Sequence, residues 1–151
     1  MSEHHAGVIW QRTSGDFTYE SYSRAHEMVF KGGAIRLAGS SAPAFRGDAD
    51  RVDPEEVYIA SLSSCHMLTF LAICARRRLT VDSYHDEAMG MLDKDSDGKL
   101  WVTRVTLRPR VRFASGTAID DAMLEHIHHQ SHAECFIANS VKTHVTVVPR
   151  L

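Results

Sequence analysis

The segment from Asp53 to about Arg78 constrains the fold more than any other part of the chain. It opens with helix-start chemistry: Asp53 can cap, Pro54 suits the first helical position, and Glu55 and Glu56 put negative charge in the first turn. Asp53 and Glu56 are also spaced as a capping box. The body of the segment is apolar on nearly every face: Val57, Tyr58, Ile59, Ala60, Leu62, Met67, Leu68, Phe70, Leu71 and Ile73. Arg76, Arg77 and Arg78 then place positive charge where a helix C-terminus favours it. A helix apolar all round is buried at the centre of its domain. One small sheet cannot cover it, so a homodimer wrapping two such helices is the simplest expectation.

The flanking segments predict strands around this helix. Residues 6–11, 17–23 and 26–30 are rich in β-branched and aromatic side chains, with a turn at Ser14-Gly15-Asp16. Residues 34–52 are small, polar and Gly/Pro-bearing, and read as a long loop of the kind that often carries function. Two strand-like runs, 83–92 and 100–113, are joined by a hairpin turn over Asp93 to Gly98. A second helix is expected from Ser115 or Thr117 to about Glu134, then a short helical turn after Cys135, then a closing strand over 141–148. The expected fold is a single α+β domain with antiparallel pairing around a buried central helix.

Charge excludes some partners. A net charge of -2 across 151 residues leaves no basic footprint for nucleic acid and no polybasic patch for a membrane. No apolar run is expected to reach the roughly 18 residues that span a bilayer. The N-terminus lacks a basic-then-apolar signal pattern, so the chain is expected to be cytoplasmic.

In that compartment three cysteines do not make a disulfide framework, and none sits in a C-x-x-C pair. Cys74, among Ala, Ile and Leu, reads as core. Cys65 lies in the middle of the apolar helix, where burial raises a thiol's pKa and keeps it inert unless something stabilises the thiolate. In one straight helix it would lie about 18 Å from the start, beyond useful reach of the dipole. Two remedies are open. A break at Ser61, Ser63 and Ser64 would restart a helix at Cys65. Alternatively, an arginine from the 34–52 loop reaches in; Arg46 is best placed, with Glu55 able to grip its guanidinium. Cys135 follows His132 and Glu134, just ahead of the closing strand.

Taken together, these residues resemble the OsmC/Ohr family of thiol-dependent peroxidases. Asp53-Pro54-Glu55-Glu56 is similar to the family's Asn-Pro-Glu-Glu, with Cys65 ten residues after Glu55. The run from Cys135 through Val147 resembles the family's second cysteine turn and closing strand, and the order of elements agrees over nearly the whole chain. The Tyr22-Ser-Arg-Ala-His26 and Phe45-Arg46-Gly47 stretches resemble one branch of it. The resemblance implies an intertwined homodimer with Cys65 as the peroxidatic thiol, Cys135 as the resolving thiol, Arg46 stabilising the thiolate and Glu55 orienting Arg46. It implies organic hydroperoxide, or hydrogen peroxide, as substrate, an external dithiol as reductant, a role in stress response, and no metal or organic cofactor. Met67, Leu68, Phe70, Phe136 and Ile137 are the expected substrate pocket. The chain departs from the family at Asp53, at His66 where an apolar or aromatic residue is common, and at Phe136 where proline is usual. Arg24 and Arg12 compete with Arg46, because some members supply the arginine from the N-terminal strands.

Two readings compete with peroxidase chemistry. His128 and His132 share a helix face and Cys135 follows three residues later, a spacing able to bind zinc. The fold could also hold a small apolar ligand, with Cys65 an unreactive core residue.

Overall fold

A computed structural model describes residues 1–150 of the chain. It forms two compact units, the first spanning Met1–Val57 and the second running from Tyr58 onward.

The first unit is an antiparallel meander of β1 (Ala6–Ile9), β2 (His26–Phe30) and β3 (Ile35–Gly39). Ile9 faces Glu27 and Phe30 faces Ile35 in the register. The strand expected over 17–23 is absent. That stretch turns on itself, with Ser21 N and Tyr22 N donating to Thr18 O, and Phe17 and Tyr22 pack on each other and on Trp10. Conversely, the expected 34–52 loop contains β3, because Ile35 to Gly39 complete the edge of β2. The loop proper begins at Ser40, makes a 3-10 turn over Pro43–Phe45 and returns so that Val52 bridges Gly39. It depends on Gly47, where an added Cβ would lie 1.4 Å from Ser41 O.

The central helix, α1 (Pro54–Arg76), is continuous over 23 residues. Its capping box forms as the spacing requires: Glu56 N donates to Asp53 Oδ1 at 2.8 Å and Asp53 N to Glu56 Oε2 at 3.0 Å. The expected end near Arg78 is a Schellman cap. Arg78 takes a left-handed φ of 60°, Leu79 N donates to Cys74 O and Arg78 N to Ala75 O. The serine-rich stretch at 61–64 does not break the helix. Ser61 and Ser63 instead spend their hydroxyls on Tyr58 O and Asp86.

Within the second unit, β4 (Val81–Asp86) pairs with β7 (Pro109–Phe113), and β5 (Met89–Lys94) pairs with β6 (Leu100–Leu107). Each of the two long strands expected from the sequence therefore splits and changes sheet. The break in the second run falls at Arg108, whose N–H donates to Asp86 Oδ1, followed by Pro109, which has no N–H. Helix α2 (Asp121–Glu134) starts later than expected. Gly116 holds a φ of 85°, and Asp120 caps by accepting from Met123 N. The closing strand β8 (His144–Val147) joins β6 in parallel, whereas the other strand pairs are antiparallel.

Two apolar clusters anchor α1. Phe70, Ile73 and Cys74 pack with Leu124 and Ile127 of α2, while Leu62 packs with Val105, Leu107 and Val145 of the β5–β6–β8 sheet. These residues, with His66, make one stripe along the helix, not its whole circumference. Leu68 remains 60% exposed. By length and composition α1 could cross a membrane, at a mean hydropathy of 1.7, contrary to the expectation from sequence. Its buried stripe and the Ser63–Asp86 hydrogen bond tie it instead to strands and a second helix.

Candidate active site

Helices α1 and α2 bring two thiols together. Cys65 sits midway along α1 and is half-buried; Cys135 caps the C-terminus of α2 and is 1% exposed. The two side chains are close enough for Cys65 to perturb the Cys135 thiol, and all three cysteines are free thiols. Burial pushes the Cys135 thiol up to about 11, and its contact with Cys65 pushes the same way. Two backbone donors oppose this, the N–H groups of Ala138 and Ile137, with Ala138 N at 3.5 Å from Cys135 Sγ. They come from the turn that leads into the 3-10 segment Ala138–Ser140. The sequence signal for them was the expected short helical turn after Cys135. Cys74, by contrast, is a core residue whose thiol burial raises to about 11.

The two thiols differ in accessibility: solvent reaches the half-buried Cys65, whereas Cys135 is buried. Because α1 does not restart at Cys65, no helix N-terminus is available to stabilise its thiolate.

Beside the thiols lies a feature absent from the expected site. His66 and His128 are 1% and 2% exposed, their rings are stacked with an interplanar angle of 5°, and His66 Nε2 lies 3.1 Å from His128 Nδ1. Phe70 also stacks on the His128 ring, at 4.4 Å between centroids. Burial, then the proximity of His128 and His132, lowers His66 to about 3; burial lowers His128 to about 4. Both rings are therefore neutral at pH 7. This corrects the metal reading: His128 is turned into the core, and among the described residues no group of three His, Cys, Asp or Glu side chains gathers to hold an ion.

The expected pocket residues disperse. Phe70 is fully buried in the α1–α2 core and cannot line a substrate-accessible surface. Ile137 packs against the Leu62 cluster, Met67 is half-buried, and Leu68 and Phe136 face solvent at 60% and 81% exposure.

Arg46 and Glu55 belong to the first unit. Arg46 caps the Pro43–Phe45 turn in a left-handed conformation, with its guanidinium 5.7 Å from the Tyr19 ring. The described ion pairs include neither Arg46 nor Glu55, so the expected grip between them is not formed within the chain. The competing arginines are engaged locally: Arg12 donates to Gly15 O, and Arg24 to Tyr22 O and Tyr19 O.

Comparison with known proteins gives the family. A family described as OsmC-like protein matches residues 47–150. An OsmC-like protein of unknown function from Vibrio cholerae is 46% identical, with 99% of this chain and 100% of that one covered and a TM-score of 0.93. Two more distant structures share the fold. An organic hydroperoxide resistance protein OsmC from Legionella pneumophila has 12% identity, 100% coverage of both chains and a TM-score of 0.74. The organic hydroperoxide resistance protein OhrB of Bacillus subtilis has 18% identity, coverage of 97% and 98%, and a TM-score of 0.69. No curated protein matches the chain in sequence.

Proposed function

The chain belongs to the OsmC-like family, and from that premise we propose that it is a cytoplasmic, thiol-dependent peroxidase that reduces organic hydroperoxides. The observation that carries this reading is the contact between a half-buried thiol and a fully buried one on two different helices. Fold relatives named for organic hydroperoxide resistance point in the same direction.

In the proposed cycle the Cys65 thiolate attacks the terminal oxygen of ROOH. The O–O bond breaks, Cys65 becomes a sulfenic acid, and the alkoxide leaves as ROH after taking a proton. A guanidinium beside the thiolate would stabilise the negative charge on the reacting atoms, the role that the family resemblance gives to Arg46. The Cys135 sulfur then attacks the sulfenic sulfur, water departs, and a Cys65–Cys135 disulfide forms. An external dithiol reduces that disulfide and is itself oxidised to a disulfide. The exposed apolar faces of α1, Leu68 among them, fit a homodimer in which a second copy covers them.

The test is a thiol titration after one equivalent of an organic hydroperoxide, followed by steady-state turnover with a dithiol. Loss of two thiols per chain in one step supports the cycle. Unchanged turnover in Cys65→Ser would sink it.

A further inference from the structure

The segment between β1 and β2 does something the peroxidase reading does not use. Its ends are held together by the Ile9–Glu27 pairing, and it closes into a compact loop packed by its own side chains. Trp10 Nε1 donates to Ser23 O at 2.7 Å, and the Trp10, Phe17 and Tyr22 rings pack with centroids 5.3 to 6.4 Å apart. These rings line a cavity of about 430 Å³ together with Arg24 and His26, and it lies wholly within the first unit. That volume is in the range of small-molecule sites.

Arg24 gives the cavity its chemistry. Its guanidinium is fixed from both sides by the Tyr22 and Tyr19 carbonyls, and it lies 3.8 Å from the Tyr22 ring centroid. Two of its five N–H groups are spent there, and the rest are left to donate. None of the described ion pairs involves it, so a preorganised cation stands at an aromatic-walled cavity without a counter-anion. His26 is likewise oriented, its Nδ1 lying 2.8 Å from Arg24 O. Its ring occupies space that only glycine leaves: a Cβ on Gly39 would meet His26 Nε2 at 2.6 Å.

We infer that this cavity binds a small planar aromatic carboxylate, with the ring system held by Trp10, Phe17 and Tyr22 and the carboxylate on Arg24. An aromatic body matches three ring walls, and a carboxylate matches a fixed guanidinium fork.

The test uses the ¹⁵N-labelled full-length chain carrying Trp101→Phe, which leaves Trp10 as the single indole N–H signal. The probes are naphthoate, its uncharged analogue naphthylmethanol, and cyclohexanecarboxylate, which keeps the charge and loses the ring. A saturable shift of the Trp10 signal with naphthoate is expected, at least about tenfold tighter than with either analogue. Phe17 is 63% exposed, so Phe17→Ala removes one wall without touching a core; it and Arg24→Gln should each weaken naphthoate by about tenfold. A Trp10 signal that does not move, equal binding of either analogue, or unchanged affinity in a folded Phe17→Ala protein overturns the inference. None of these readouts depends on peroxidase activity.

Discussion

Cys65 and Cys135 stand seventy positions apart in sequence, and the fold brings them close enough for Cys65 to help raise the Cys135 thiol. That proximity lets their roles be separated experimentally. In Cys135→Ser, Cys65 should oxidise once and stop, because no thiol is left to condense with its sulfenic acid. A sulfenic-acid trap read by mass spectrometry should label Cys65, while steady-state turnover falls by about a hundredfold or more. Cys65→Ser should consume no peroxide even in the first turnover. Equal trapping on Cys135 in that variant would reverse the assignment.

The buried thiol should set the pH dependence of the second step. Cys135 titrates near 11, raised mainly by burial. Its thiolate fraction, and with it the rate of disulfide formation after a single pulse of peroxide, should rise roughly tenfold per pH unit between about pH 7 and 10. Rapid quenching and mass analysis of the disulfide measure that rate. A flat profile across this window would mean that Cys135 thiolate is not the species limiting the step.

The sequence showed what local chemistry writes into it and hid what tertiary pairing decides. The α1 start was legible because Asp53, Pro54 and Glu56 each have one strong reason to stand where they do. The two thiols were legible as a pair through family resemblance, and only the fold shows that they touch. The split of residues 83–92 and 100–113 into four strands was not legible. It depends on Asp86 accepting from both Ser63 of α1 and Arg108 N, a tie between distant segments. β3 was hidden because Ile35 to Gly39 form a strand only against β2. The 128–132 histidine spacing promised a metal face. Its inward member instead found a partner, His66, on another helix.

That partnership predicts acid sensitivity. Folded His66 and His128 titrate near 3 and 4, below the unfolded value of 6.5. Between those limits the unfolded chain binds more protons than the folded one, so stability is full above about pH 6.5 and falls as pH drops towards 4 and then 3. Each histidine contributes a slope of up to about 1.4 kcal/mol per pH unit. Urea unfolding at a series of pH values between 7 and 4.5 measures it. The double variant His66→Phe/His128→Leu, which replaces both polar rings together, should flatten the slope. His66→Phe alone should cost about 1–3 kcal/mol, because it strands His128 Nδ1. A slope unchanged in the double variant would place the acid sensitivity elsewhere.

The end of α1 offers a change in the opposite direction. Arg78 occupies the left-handed position of the Schellman cap, at φ 60°, which glycine adopts without a steric penalty. Arg78→Gly should therefore relieve about 1 kcal/mol of backbone strain. It also removes a positive charge from a helix C-terminus, which costs about 0.3–1 kcal/mol at low salt and less when screened. The net gain should be small in dilute buffer and should grow with added salt, seen as a rising difference in urea midpoint from the parent protein. Arg78→Val carries the same loss of charge but adds a β-branched side chain in the left-handed region, so it should destabilise at every salt concentration. If the glycine and valine variants unfolded together, the backbone conformation at residue 78 would not be what limits this helix end.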